Sequence, residues 1–374
     1  MQNDTKFVDG FRFVSNLNTT VRYLNIISQI IRFIGQKQLP KQILKSTLIE
    51  WSRQQEQESI AYKKHHGKIT ENGKPTSAFE HYLDFSSSLG LIIYHGDLLR
   101  LSRLGVLLNK LLDESKEIKS EFSEVEKLFF IIILFRNDAD AILLTLDLLH
   151  ISFDPTTQES LFKKFKSYLI ERLLIKQKYA NETIQSIIRE RYRIVEYEWK
   201  NAESYAKHII PPRLEWMADL GLLNRIKEGN KTHYQINNLG QQLIKTCLIF
   251  PNSEIHDVNE SWLQNHAINS FIITIKKQGI IRKWLEIADN KRINLIITYL
   301  EKTFNFFNFE GAMRISLYHA FLYMIINLAV NENILVEIDD LLKEFKNSIV
   351  VGNRKYSIRS STRINEGYIT VNLI

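Results

Sequence analysis

At 374 residues, 44% hydrophobic and 24% charged, the chain has the composition of a globular protein with room for two or three cores, which excludes a disordered or fibrous class. Its one cysteine, Cys247, excludes an internal disulfide and a cysteine-cluster metal site, and fits a reducing cytosol. The formal charge of +7 suits a phosphate-backbone partner, and residues 1–113 carry much of the excess, with 15 basic against 10 acidic residues.

The opening MQNDTKFVDGFRF has no basic stretch followed by an apolar one, so no signal peptide is expected. Only 6 Pro and 14 Gly interrupt a chain rich in Leu, Ile, Lys and Glu, which predicts a mostly α, multi-domain protein. Helices are predicted over 20–36, after Pro40 (KQILKSTLIEWSRQ) and over 78–90. The polar loop KKHHGKITENGKPTS separates the last two. Then comes LGLIIYHGDLLRLSRLGVLL, 89–108. Gly90 ends a helix in the left-handed conformation that glycine alone takes cheaply. A short hairpin follows, with Leu99 and Leu101 inward and Arg100 outward by two-residue alternation. Leu104-Gly105 opens the next helix.

Further helices are predicted over 124–149, 156–175, around 182–206 and over 211–221. The apolar run LFFIIILF at 128–135 is too short to cross a bilayer and reads as a buried helix. Pro212 suits the first turn of its helix, which would aim Arg213 outward from an N-terminal end. LGLLNRIKEGNKTHYQINNLG, 220–240, then repeats the earlier pattern. Gly221 ends a helix, Glu228-Gly229-Asn230 makes a turn, Tyr234 and Ile236 point inward on the return strand, and a second Leu-Gly opens a helix. A third unit is expected from two helices over 313–347 and an alternating hairpin over 352–374 with its turn at Asn365-Glu366-Gly367. No Gly- or Ser-rich linker divides the chain. Pattern alone places boundaries near 114 and 252, giving segments 1–113, 114–251 and 252–374.

The two Leu-Gly-Leu…Leu-Gly stretches resemble the C-terminal half of winged helix-turn-helix domains, with a helix, a β-hairpin wing and a helix; the third copy lacks the Leu-Gly pair. Tandem winged helices of this sort occur in DNA-recognition portions of some restriction enzymes, in replication initiators and in subunits of prokaryotic anti-phage defence systems. The resemblance implies contact with double-stranded DNA, one helix entering the major groove and the wing lying on the adjacent backbone or minor groove. The candidate DNA-binding residues are then Lys207, His208 and Arg213 around the feeding helix, and Arg225, Lys227, Lys231 and His233 on the second hairpin. Arg100 and Arg103 follow on the first hairpin, and Arg354, Lys355, Arg359 and Arg363 on the third. Cations on a projecting hairpin neutralise phosphates, and helix N-termini add N–H donors. The first tip, His95-Gly96-Asp97, is barely basic and fits a structural or partner-binding role better.

Catalytic signatures are missing from the sequence. There is no Gly-rich loop followed by Lys-Ser/Thr, no His-Glu-x-x-His and no Gly-x-Ser-x-Gly. Glu198-Trp199-Lys200, with Asp154 upstream, has the spacing of a metal-nuclease site but falls in a charged helical segment. Asp138 and Asp140 read first as acids at a helix start and second as metal ligands. His65-His66 reads as a loop tip, with phosphate or metal contact as its alternative. His319 reads as a hydrogen-bonded core histidine and Cys247 as a small buried residue. FNFFNFEG, 304–311, fits core packing or a partner surface, with stacking on unpaired bases as the alternative. The expectation is a non-enzymatic double-stranded-DNA-binding subunit of a larger prokaryotic assembly, of the restriction or antiviral-defence kind. It would work in the cytoplasm with protein partners or as a homo-oligomer, without cofactor, metal or membrane. The alternatives are a protein–protein adaptor built from the same domains, a restriction-type nuclease with an unrecognised site, and a transcription regulator.

Overall fold

The computed structural model describes residues 8–15, 17–59, 62–63, 65–114, 122–151, 155–229, 231–247, 258–259, 262–263, 267–275, 281–307, 314–346, 348–359 and 367–374. The chain is mostly α-helical with small, mainly antiparallel sheets. It divides into two compact units. One gathers Met1–Ile27, Leu48–Leu89 and Phe130–Leu263; the other gathers Ser28–Thr47, Gly90–Phe129 and Gln264–Ile374. The boundaries near 114 and 252 cut the chain in order, whereas these units collect stretches that are far apart in sequence. No helix among the described residues is long and apolar enough to cross a membrane.

In the first unit, helix Glu124–Ile151 enters at Phe130 and runs with residues 130–135 buried, as the apolar run predicts. The helix breaks at Asp138, where φ is −139° and ψ is 19°. Here Asp138 accepts the Val14 N–H at 2.8 Å and a two-pronged pair from Arg213 at 2.7 and 2.8 Å. Asp140 accepts the Arg12 N–H at 2.7 Å, Lys176 Nζ at 2.8 and 3.0 Å and Arg172 Nε at 3.2 Å. All of these acidic and basic side chains except Arg12 are at most 1% exposed. Burial works to raise the Asp140 carboxyl, but Lys176 and Arg172 outweigh it and hold it below the usual carboxylate range. The chain restarts its helix at the Asp138 kink, as the helix-start reading expects, but both carboxylates are engaged by cations and backbone N–H groups. They are the acidic half of a buried ion-pair network that ties the N-terminal segment to two other helices.

Both Leu-Gly-Leu stretches fold the same way, one in each unit. In the first unit Gly221 has φ +79°, strands Leu223–Glu228 and Lys231–Ile236 form a ribbon, and helix Asn238–Thr246 follows. In the second unit Gly90 has φ +71°, strands Ile92–His95 and Leu98–Leu101 form a ribbon, and helix Arg103–Glu114 follows. The inward and outward alternation is as expected: Leu99, Leu101 and Tyr234 are buried, Arg100 and Gln235 exposed. Each ribbon gains a two-residue third strand on its return strand, Leu39↔Leu99 in one case and Thr156↔Tyr234 in the other.

The joint after each ribbon is held alike. Ser102 Oγ donates to the Gly90 carbonyl and accepts the Gly105 N–H at 3.0 Å. Asn237 Nδ2 donates to the Gly221 carbonyl at 2.8 Å, and its Oδ1 accepts the Gly240 N–H at 3.0 Å. A Cβ on Gly105 would fall 2.1 Å from the Leu91 carbonyl oxygen, and one on Gly240 would fall 2.4 Å from that of Leu222. The second Leu-Gly recurs because the new helix lies directly on the backbone of the first Leu-Gly-Leu.

The C-terminal region departs from this pattern. Four antiparallel strands pair in the order Arg314–Ser316, Tyr368–Leu373, Arg354–Arg359, Ile349–Val351, after helices Leu317–Asn331 and Ile338–Glu344 are counted between the first strand and the last. Strand Ile349–Val351, turning at Gly352 (φ +57°), adds a partner to the expected hairpin over 352–374. The expected turn residues Asn365 and Glu366 lie outside the described residues.

Candidate functional site

The helix that feeds the second ribbon, Ala202–Asp219, starts earlier than expected because Asn201 caps it, its Oδ1 accepting the Ser204 N–H at 3.1 Å. Pro211 and Pro212 therefore stand inside the helix, and Arg213 lies at mid-helix, 0% exposed, on Asp138. The expectation that Arg213 reaches outward is corrected: its Nη1 donates to the Ile209 carbonyl at 2.8 Å and its Nη2 to that of Val14 at 3.0 Å. Residues 209–217 are all buried, and only Lys207 and His208 of the expected contacts on this helix are exposed. Helix Ala78–Ser88, which precedes the first ribbon in the chain, turns Asp84 and Ser88 to solvent and half-buries Glu80 and His81. Apart from Lys207 and His208, neither helix exposes a basic side chain.

The second ribbon is anchored at its base. Arg225 Nε donates to Glu215 Oε2 at 2.8 Å, and its Nη2 donates to the Glu215 carbonyl at 2.9 Å and to Asp219 Oδ1 at 2.6 Å. Tyr234 Oη donates to Glu215 Oε1 at 2.5 Å, and Gln158 Nε2 donates to Tyr234 Oη at 3.1 Å. Arg225 is thus a fastening, not a free cation; a sequence reading that counts charges on a hairpin misses the two acids one helix away. His233 is half-buried between the Pro155 carbonyl at 3.4 Å and Glu228 at 3.5 Å. Further out, Lys227 and Lys231 are exposed, and among the described residues neither has an ion pair. Asn230 at the tip lies outside the described residues.

A second basic segment belongs to the same unit. His65 stacks on Tyr23 at 3.9 Å and stands 3.7 Å from Asp219, so it is no loop tip. Gly67 has φ +75° and lies so close to Thr20 that any Cβ would strike the Thr20 carbonyl. Burial first, then the charge of Arg225, lowers His65 to about 4. Burial first, then Arg22, lowers His66, and Lys227 and Lys68 act in the same sense on it. Asp219 is raised to about 7, chiefly by burial, against the pull of Arg225. Lys63, His66, Lys68, Thr76 and Ser77 line a cleft of about 350 Å³ here, with Glu71 as its acidic member. The loop's clustered Lys and His residues were the visible signal; that it lies beside the second ribbon was not visible in the sequence.

The remaining candidates are scattered. Arg100 and Arg103 are exposed at the first ribbon and helix start, Lys355 and Arg359 are exposed on the C-terminal sheet, and Arg354 stands 3.9 Å from Glu301. Arg363 and Asp154 lie outside the described residues. Glu198, in a π-helical turn, pairs with Arg193 at 2.8 Å. Among the described residues no three His, Cys, Asp or Glu side chains gather as metal ligands. Cys247 is buried and forms no disulfide. A scan against protein-family models and searches of curated proteins and of solved structures return no match.

Proposed function

We propose that the chain is a non-catalytic tandem winged-helix protein that holds double-stranded DNA by its phosphates, as a cytoplasmic subunit of a larger assembly. The observation that carries this reading is the pair Lys227 and Lys231, exposed on a ribbon whose base is locked by Arg225, with Lys63 exposed in the adjoining loop. Cations held out on a rigid ribbon replace condensed counterions on a duplex and give affinity without sequence reading. The helices argue against groove reading, since the exposed face of Ala78–Ser88 is acidic and residues 209–217 are buried. Contact is therefore with backbone, by the wing and the loop. Titrating a fluorescent duplex with the wild-type chain and with Lys227→Glu/Lys231→Glu tests this directly: binding is expected for the first and at least tenfold weaker binding for the second, with unchanged circular dichroism. Equal binding by both would remove the second ribbon from the interface.

One observation favours an adaptor role instead. Tyr197 is 72% exposed, Ile187 51% and Tyr205 43%, the last stacked on Trp199 at 4.6 Å. Exposed aromatic and aliphatic side chains of this kind mark protein contacts. The absence of any duplex binding, together with a stable complex with a protein partner that Tyr197→Ser/Tyr205→Ser dissolves, would favour this second reading.

A further inference from the structure

The C-terminal sheet of the second unit has two unlike faces. Alternation turns Ile315, Ile349, Tyr356 and Ile369 to one of them, and each is at most 7% exposed. That face lies on helices Asp289–Phe307 and Leu317–Asn331, with the Phe304 and Tyr356 rings 5.8 Å apart. The strand register fixes what stands on the outer face. Arg359 is directly opposite Tyr368, Arg314 is opposite Thr370 one row on, and Lys355 is opposite Asn372 in the row beyond. Arg314, Lys355 and Arg359 are exposed, and Tyr368 is half-buried among them.

The outer face carries one sign of charge. None of the four strands contains an Asp or Glu, so the sheet itself supplies no carboxylate to these three cations. The fourth cation of the strands, Arg354, belongs to the inner face, where it stands 3.9 Å from Glu301. A positive surface of this kind is complementary to a polyanion. The ring narrows the choice of polyanion. The Arg314 guanidinium lies 5.8 Å from the Tyr368 ring centroid, and Arg359 begins about 5 Å from Tyr368 across the strand pair. An aromatic ring set among cations on an open face takes an unpaired base by stacking, while the cations take the phosphates beside it. A duplex keeps its bases stacked inside and would leave the ring idle. The core of a protein interface is depleted of charge, whereas the exposed side chains around Tyr368 are cationic.

We propose that the outer face of this sheet binds an unpaired nucleic-acid strand, a base stacking on Tyr368 and the phosphates lying on Arg314, Lys355 and Arg359. The site is separate from the lysines of the second ribbon and does not depend on them. The full chain is titrated by fluorescence anisotropy with labelled single-stranded dT12 and with the dA12·dT12 duplex. The single strand should bind, and Arg314→Glu/Arg359→Glu should weaken it at least tenfold. Tyr368→Leu should weaken it roughly fivefold or more, while Tyr368→Phe, which keeps the ring, should bind dT12 like wild type. Lys227→Glu/Lys231→Glu should leave dT12 binding unchanged, so failure of the ribbon reading is distinguishable from failure here. Should Tyr368→Leu not fold, the exposed arginine pair still decides the matter. The proposal is overturned if dT12 does not bind, or if the arginine variant or Tyr368→Leu binds it like wild type while remaining folded by circular dichroism. It is equally overturned if the arginine variant loses duplex and single strand by the same factor, which would make the face a duplex surface.

Discussion

Single side chains carry two predictions about the first unit. His65 has a folded pKa of about 4 against an ordinary value of 6.5, because it is buried and faces Arg225. The folded state then holds fewer protons than the unfolded one between those values. Stability from this group is complete above pH 6.5 and is lost as pH falls through the window to 4, by about 3 kcal/mol at most. Its neighbour Asp219, raised to about 7, acts oppositely: its contribution is present at low pH and is lost as pH rises through 7. In a His65→Gln variant the acid-side loss should shrink, which urea unfolding at pH 7 and pH 4.5 would register; an unaltered difference between the two pH values would deny His65 that role. Arg213 carries the other prediction. Arg213→Met leaves Asp138 buried without its counter-charge and should cost about 3–5 kcal/mol, read from urea unfolding at pH 7. The double variant Arg213→Met/Asp138→Asn should lose clearly less than the sum of the singles. None of this was legible locally. Pro-Pro-Arg looks like a helix start, and the acid that holds Arg213 lies 75 residues away.

At the scale of elements the repeat was legible because it is written in backbone requirements. Leu-Gly-Leu marks a helix ending in left-handed conformation, and the later Leu-Gly marks a helix pressed on a carbonyl. The two glycine jobs differ, and substitutions should separate them. Gly90→Ala meets no atom within 4 Å and should cost only the left-handed strain, about 1–2 kcal/mol. Gly105→Ala and Gly240→Ala have ordinary backbone angles but drive a methyl into backbone, where nothing flexible can yield. Each should cost at least about 1–3 kcal/mol and shift the ribbon's amide resonances, as overpacking does. A neutral Gly240→Ala would mean that helix Asn238–Thr246 does not lie on Leu222. The third strands Leu39–Pro40 and Thr156–Thr157 were not legible, since two residues show no alternation. In the C-terminal region the alternating segment was recognised but its neighbour Ile349–Val351 was not, for the same reason.

For the whole molecule, the mostly α class followed from composition, while the division into units did not, because compaction joins stretches that no local pattern links. The positive balance was legible as a sum, but its useful part was not. Buried or anchored cations such as Arg213, Arg172 and Arg225 count equally with exposed ones until the fold sorts them. What survives the sorting among the described residues of the first unit's ribbon and loop is Lys227 and Lys231 on the ribbon and Lys63 on the loop, Lys68 being held 3.9 Å from Glu56. The dependence of duplex affinity on salt tests that outcome most directly. Between about 50 and 200 mM salt, log K for the wild-type chain should fall linearly with log salt, and Lys227→Glu/Lys231→Glu should reduce the steepness by roughly 0.9 for each lost phosphate contact, about 1.8 in all. A slope identical in wild type and variant, or duplex binding indifferent to salt, would contradict phosphate contact by the ribbon.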